Sequence, residues 1–239
     1  QCLVGSEMCI RDRIMTALLT IENLPDLNET ITVPEDIFEE LTAQDASVAG
    51  FNPYEQPTVR DLLYGVLLPS GADACETLAR AVGGSEEGFV AMMNQKAEEL
   101  GLTNTHFENC TGLHNDNHYS TCRDIAVLMS ECLKSDTFRE IVTREVYTTE
   151  ATASHPEGIT LYDTMLHRFT SYEMSTTLEN GAVIEGGKTG FTDEAGQCLV
   201  SFAEYGGEEY ILVTAEAMTD SGSAVDSIAD ASTVYGRLQ

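Results

Sequence analysis

Two β-rich runs near the C-terminal end, QCLVSFAEY and EEYILVTAEA, are separated by Gly206-Gly207. Glycine pairs supply the positive φ angles that tight hairpin turns require, so the two runs are expected to form an antiparallel hairpin. Upstream, the chain has the opposite texture. Ile14, Ala17, Leu18 and Ile21 recur at helical spacing, which makes IMTALLTIENL an amphipathic helix with one face buried. Thr58 is a candidate N-cap for VRDLLYGVLL, which must stop near Pro69. DACETLARAV starts beyond Ser70 and ends at Gly83-Gly84; Ser85 caps EEGFVAMMNQKAEEL, which stops at Gly101. Thr121 precedes CRDIAVLMSECLK, with Asp124 completing a capping-box-like pattern. The polar stretch from Pro34 to Pro57 reads as a short helix and loops, and SAVDSIADASTVYGRL returns to helical periodicity at the end. The order is helix, helical insert, strands and closing helix, which predicts an α+β fold carrying an all-helical lobe. The lobe is expected over about 35–142, with sheet-bearing parts at about 14–34 and 143–239 of one domain.

The 40 acidic residues against 12 basic ones give a formal net charge of -28. A polyanion of this kind repels nucleic acid and anionic lipid headgroups, so no nucleic-acid partner is expected. The seven cysteines form no C-x-x-C pair and cannot all be bridged within one chain, and Cys75 sits in an apolar helical pattern that marks it as core. No apolar run approaches the length of a membrane-spanning helix, so no membrane anchor is expected within this chain.

Three constellations are candidates for chemistry. The first is Gly187-Lys188-Thr189, which suggests a phosphate-binding loop. That loop needs a glycine five residues before Gly187, where Ala182 stands, and a helix after it, where a turn and hairpin follow instead. The second is His106, Cys110, His114 and His118, spaced by four. On a helix they could bind zinc. Asn109, Gly112, Asn115, Asp116 and Asn117 make the segment a loop, however, so no metal or other cofactor is expected. The third joins Ser70 to the Lys188-Thr189-Gly190 strand. A serine hydroxyl attacks a carbonyl only when a base takes its proton, a second hydroxyl can relay that proton to a leaving amine, and a Lys-Thr-Gly edge strand suits a substrate carboxylate.

The texts IMTALLTIE, LLYGVLLPSGADA, GGSEEGFVAMMNQKAEELGLTNTHFENCTGLHNDNHYST and GGKTGFTDEAGQCLVSFA, in that order, closely resemble the D-alanyl-D-alanine carboxypeptidases among the low-molecular-mass penicillin-binding proteins. The resemblance implies the penicillin-recognising fold, an antiparallel sheet flanked by helices with an inserted helical lobe. It also implies a serine peptidase acting outside the cytoplasm. The substrate would be a peptidoglycan stem peptide ending in D-Ala-D-Ala, cut through an acyl-enzyme, with β-lactams as inhibitors. Carried over by position, Ser70 is the catalytic relay serine, and Lys188, Thr189 and Gly190 bind the substrate carboxylate. A helix N-cap is the other role open to Ser70. Ala72 stands where the family commonly has asparagine.

The same resemblance places a nucleophilic serine at Ile10 and a general-base lysine at Arg13, and neither is present. Isoleucine has no nucleophilic atom, and a guanidinium does not lose its proton in a protein. The opening QCLVGSEMCIRDR resembles the family nowhere, so residues 1–13 are expected to be a foreign segment that replaces the native start, and the chain as written is expected to be inactive. The alternatives are a catalytically silent peptidoglycan- or penicillin-binding module and a β-lactamase-like hydrolase.

Overall fold

The computed structural model describes residues 9–113, 115–192, 196–217 and 225–239. Helix α1 (Cys9–Asn23) is the axis of the molecule. It starts earlier than Ile14, and residues 10–19 are all buried, because α1 packs against α3 (Val59–Leu67), α4 (Ala72–Gly83), α5 (Glu86–Glu99), α6 (Cys122–Cys132) and α7 (Asp136–Val142). A helix surrounded in this way cannot show a clean amphipathic stripe, which is why its first turn was not legible.

The caps follow the local sequence with one exception. Thr58 and Asp61 form a reciprocal capping box at α3, and Ser85 and Thr121 accept the N3 amides of α5 and α6. At α4 the N-cap is Gly71 and not Ser70. Ser70 instead has φ +64°, an unusual angle for a residue with a side chain, and its hydroxyl takes no part in capping. Gly71 is required by crowding: a Cβ there would lie 2.7 Å from Ala49 N and 2.7 Å from Asp73 Oδ1.

A three-stranded antiparallel sheet has the order β3 (Val183–Thr192), β4 (Gly196–Tyr205), β5 (Glu208–Ala217). Tyr205 pairs with Glu208 across Gly206-Gly207, and both glycines have positive φ, so the expected hairpin forms with a two-residue turn. The central strand is buried on both faces. Cys198, Val200 and Phe202 join the core shared with the helical lobe, while Leu199 and Ala203 join a second cluster under the closing helix α9 (Asp226–Tyr235). Strand β3 runs close to its neighbours: a Cβ at Gly186 would lie 2.4 Å from Val142 O, and one at Gly187 would lie 2.4 Å from Val200 O. The short elements α2 (Ile37–Ala43), β1 (Val146–Thr148), β2 (Thr160–Tyr162) and α8 (Leu166–Ser171) complete the chain.

The loop that faces Ser70 from the lobe is fixed by the carboxylate of Asp73. Its oxygens accept the N–H groups of Ala49 at 2.7 Å, Gly50 at 3.0 Å, Phe51 at 3.1 Å and Ala74 at 3.0 Å. Asp73→Ala strands these donors, those of Ala49, Phe51 and Ala74 being buried, and hydrogen bonds to a charged acceptor are each strong. The substitution is therefore expected to cost roughly 3 kcal/mol of stability, read as a lowered midpoint in urea denaturation.

Candidate active site

The sequence-predicted residues meet where the sheet adjoins the lobe. Lys188, on β3, is fully buried, and its Nζ donates to Ser70 Oγ, 118 residues away in sequence, and to Thr189 O at 3.0 Å. Thr189 and Gly190 continue along the strand and line a cleft of about 450 Å³ together with Ser70, Arg13, Thr164 and Arg168. Thr189 Oγ1 lies 2.5 Å from Thr164 Oγ1. A larger groove, about 770 Å³, lies at the far end of β3 and holds none of the predicted residues.

Ile10 and Arg13 separate from each other at this point. Ile10 is sealed in the hydrophobic core. Arg13 lines the cleft, donates to Ser70 O at 3.0 Å through Nη2, and donates to Thr111 O through Nη1. The guanidinium thus bridges the serine turn and the loop opposite. Two other charged residues of the same helical turn, Arg11 and Asp12, are also buried. Asp12 Oδ1 lies 2.7 Å from His118 Nε2, while His118 Nδ1 accepts the Glu108 N–H at 2.9 Å. Accepting that N–H leaves Nδ1 without a proton, so Nε2 carries the hydrogen toward Asp12. Burial pushes the Asp12 carboxyl up, but His118, Arg11 and Arg13 outweigh it and hold the group below its usual range.

The His and Cys series does not assemble. His106 Nε2 contacts Glu108 Oε1 at 3.0 Å, His118 belongs to the Asp12 pair, and His114 lies outside the described residues. Cys110 is turned toward other partners: its thiol donates to Glu76 Oε1 and its N–H to Glu86 Oε1, both at 3.3 Å. Among the described residues, Glu76, Glu86 and Cys110 are the ones whose donor atoms gather closely enough for a cation. Burial raises the thiol well above its ordinary range, and burial together with Glu86 raises Glu76 to about 7, so the thiol stays protonated at neutral pH and Glu76 exchanges its proton there. An acid whose pKa rises on folding favours the folded state at low pH, and that advantage fades as pH climbs from the ordinary carboxyl range through 7. Glu76→Gln mimics the protonated acid. It is expected to raise the thermal midpoint at pH 8 relative to the unsubstituted protein and to change it little at pH 5.

The fold recurs in solved structures. The Streptomyces K15 DD-transpeptidase superposes with a TM-score of 0.79 at 30% identity, covering 97% of this chain and 87% of that one. The D-alanyl-D-alanine carboxypeptidase of Mycobacterium tuberculosis H37Rv gives 0.78 at 25% identity, covering 99% and 83%. The structure therefore has the penicillin-recognising fold. The profile of the D-alanyl-D-alanine carboxypeptidase family matches residues 11–219, and the chain belongs to that family. Among curated relatives, DacF of Bacillus subtilis (strain 168) is 34% identical over 208 residues, and the Streptomyces sp. (strain K15) D-alanyl-D-alanine carboxypeptidase is 36% identical over 207. The match covers 87% of this chain but only 50% of DacF, so the chain spans about half the length of that relative; for the Streptomyces enzyme the shares are 83% and 68%.

Sequence reasoning missed Thr164, Arg168 and Thr111 as cleft residues. They lie in short or irregular elements without a motif, and only Lys188 and Ser70 carried a local signal.

Proposed function

We propose that this chain is the peptidase domain of a serine-type D-Ala-D-Ala carboxypeptidase acting on peptidoglycan stem peptides outside the cytoplasm, and that as written it holds ligand without turning it over. The observation that carries the reading is the contact between the buried Lys188 Nζ and the Oγ of Ser70, which lines one cleft with Thr189 and Gly190. In this reading Lys188, Thr189 and Gly190 grip the terminal carboxylate, and Ser70 passes a proton to the leaving D-alanine amine. Acylation would form a bond from a serine oxygen to the penultimate carbonyl carbon and release D-alanine, after which water would hydrolyse the ester. With Ile10 buried in the core and Arg13 permanently charged, the first of these bonds has no donor.

Burying Arg11, Asp12 and Arg13 in one turn of a central helix is costly, which supports reading residues 1–13 as foreign to this fold. The fit of Asp12 to His118 favours a second reading, a natural and catalytically silent peptidoglycan- or penicillin-binding module. In-frame genomic DNA upstream of the Ile14 codon distinguishes the two: a Ser-x-x-Lys text supports the foreign segment, and the QCLVG text supports the silent module.

Fluorescent penicillin is expected to leave the unsubstituted protein without covalent label, and the paired substitution Ile10→Ser, Arg13→Lys is expected to restore labelling. A correctly folded double variant that stays unlabelled would sink the motif assignment. Lys188→Ala is expected to weaken reversible binding of an N-acylated peptide ending in D-Ala-D-Ala by roughly 2 kcal/mol, about 30-fold, in isothermal titration.

A further inference from the structure

A second cavity, of about 260 Å³, adjoins the cleft, because Gln44, Thr111 and Leu113 line both. The cleft is lined by two basic side chains, Arg13 and Arg168, and the pocket has the opposite character. Its walls carry Glu40 from α2, Glu76 from α4, Glu86 from α5 and Glu108 from the chain between α5 and α6. One cation, Arg80, shares the wall, and its Nη1 lies 2.7 Å from Asp36 Oδ2, which offsets its charge.

The carboxylates are held in place by other groups. Glu40 Oε1 accepts from Gln44 Nε2 at 3.1 Å, and Glu86 Oε1 accepts the Cys110 N–H at 3.3 Å. Glu108 Oε1 lies 3.0 Å from His106 Nε2. Glu76 is 7% exposed; its Oε1 accepts the Cys110 thiol, and its Oε2 accepts no hydrogen bond and lies 3.5 Å from Arg80 Nε. Glu76 and Glu86 also bring carboxylate oxygens within 4.8 Å of one another, a placement that like charges oppose and that a cation between them relieves. The rest of the wall includes Ile37, Leu41 and Leu113, which suit a methylene stem behind a charged tip.

We propose that this pocket is a second subsite of the cleft, one that takes an aminoalkyl side chain of the bound peptide, so that the ligand carries a free carboxylate at its end and a free amine on a residue upstream. The carboxylate half rests on the reading given above; the amine half stands on the pocket. The formal charge of -28 attracts any cation over a distance, so a built subsite has to show dependence on its own glutamates rather than on net charge.

The test uses four tripeptides of lysine followed by D-Ala-D-Ala, all acetylated at the α-amine, with the side-chain amine free or acetylated and the C-terminus free or amidated. In isothermal titration at neutral pH, the free amine is expected to bind about fivefold more tightly than its acetylated counterpart, whichever C-terminus it carries. That preference should vanish in the double variant Glu40→Gln, Glu86→Gln, in which each amide keeps an oxygen to accept its present donor, and should persist when two glutamates remote from the pocket, Glu150 and Glu157, are changed to Gln. Equal affinity for the two forms in the parent overturns the proposal. So does a preference that survives in the folded double variant, or one that the remote pair abolishes equally. If none of the four binds measurably, α-acetyl-lysinamide alone decides, followed through the methyl resonances of Ile37 and Leu113: shifts that the side-chain-acetylated compound does not produce support the subsite, and their absence overturns it. An amine preference without any preference for the free carboxylate refutes the carboxylate-binding reading and leaves the subsite standing; the reverse result refutes the subsite alone.

Discussion

The cleft depends on one buried ammonium. Lys188 is fully enclosed where strand β3 meets the helices, and a charge in that position is tolerated only if its hydrogens are satisfied and a counter-charge is near. Ser70 Oγ and Thr189 O supply acceptors. Other features follow from bringing these groups together. Glycines at 186 and 187 let the strand lie against Val142 and Val200, and Ser70 is held in a left-handed backbone conformation that a free turn would rarely adopt.

The central helix supplies the other wall. Arg13 lines the cleft and bridges the main-chain oxygens of Ser70 and Thr111, so it braces the two loops on which they lie. Arg13 and Arg168 line the cleft and Lys188 lies buried beside Ser70, which makes this a cationic spot on a chain of formal charge -28. Long-range steering by the whole molecule opposes an anionic ligand, so any attraction for a carboxylate has to come from these few side chains within a Debye length.

Much of the fold was legible because its signals are local. The Gly206-Gly207 hairpin, the Thr58, Ser85 and Thr121 caps and the stop at Gly83-Gly84 each involve residues within a few positions of one another. The small elements α7, α8, β1 and β2 were not legible, because three to seven residues carry too little periodicity and are held by partners distant in the chain. Ser70 shows the same limit: its position after proline suits a cap, but Ala72 N–H donates to Ser47 O at 2.7 Å and the packing of Ala49 on Gly71 shifts the helix start by one residue.

The sequence by itself determined the helical lobe, the hairpin, the acidic surface and the residue types at Ser70, Lys188, Thr189 and Gly190, since each is written in neighbouring positions. It also determined that Ile10 and Arg13 cannot supply a nucleophile and a base, because that follows from their atoms alone. Only the tertiary structure decided that Lys188 reaches Ser70, that Arg13 braces the cleft while Ile10 is sealed away, and that Thr164 stands beside the strand. Those relations join residues as much as 118 positions apart, and their energies depend on burial and on opposing charges that exist only once the chain has closed around them.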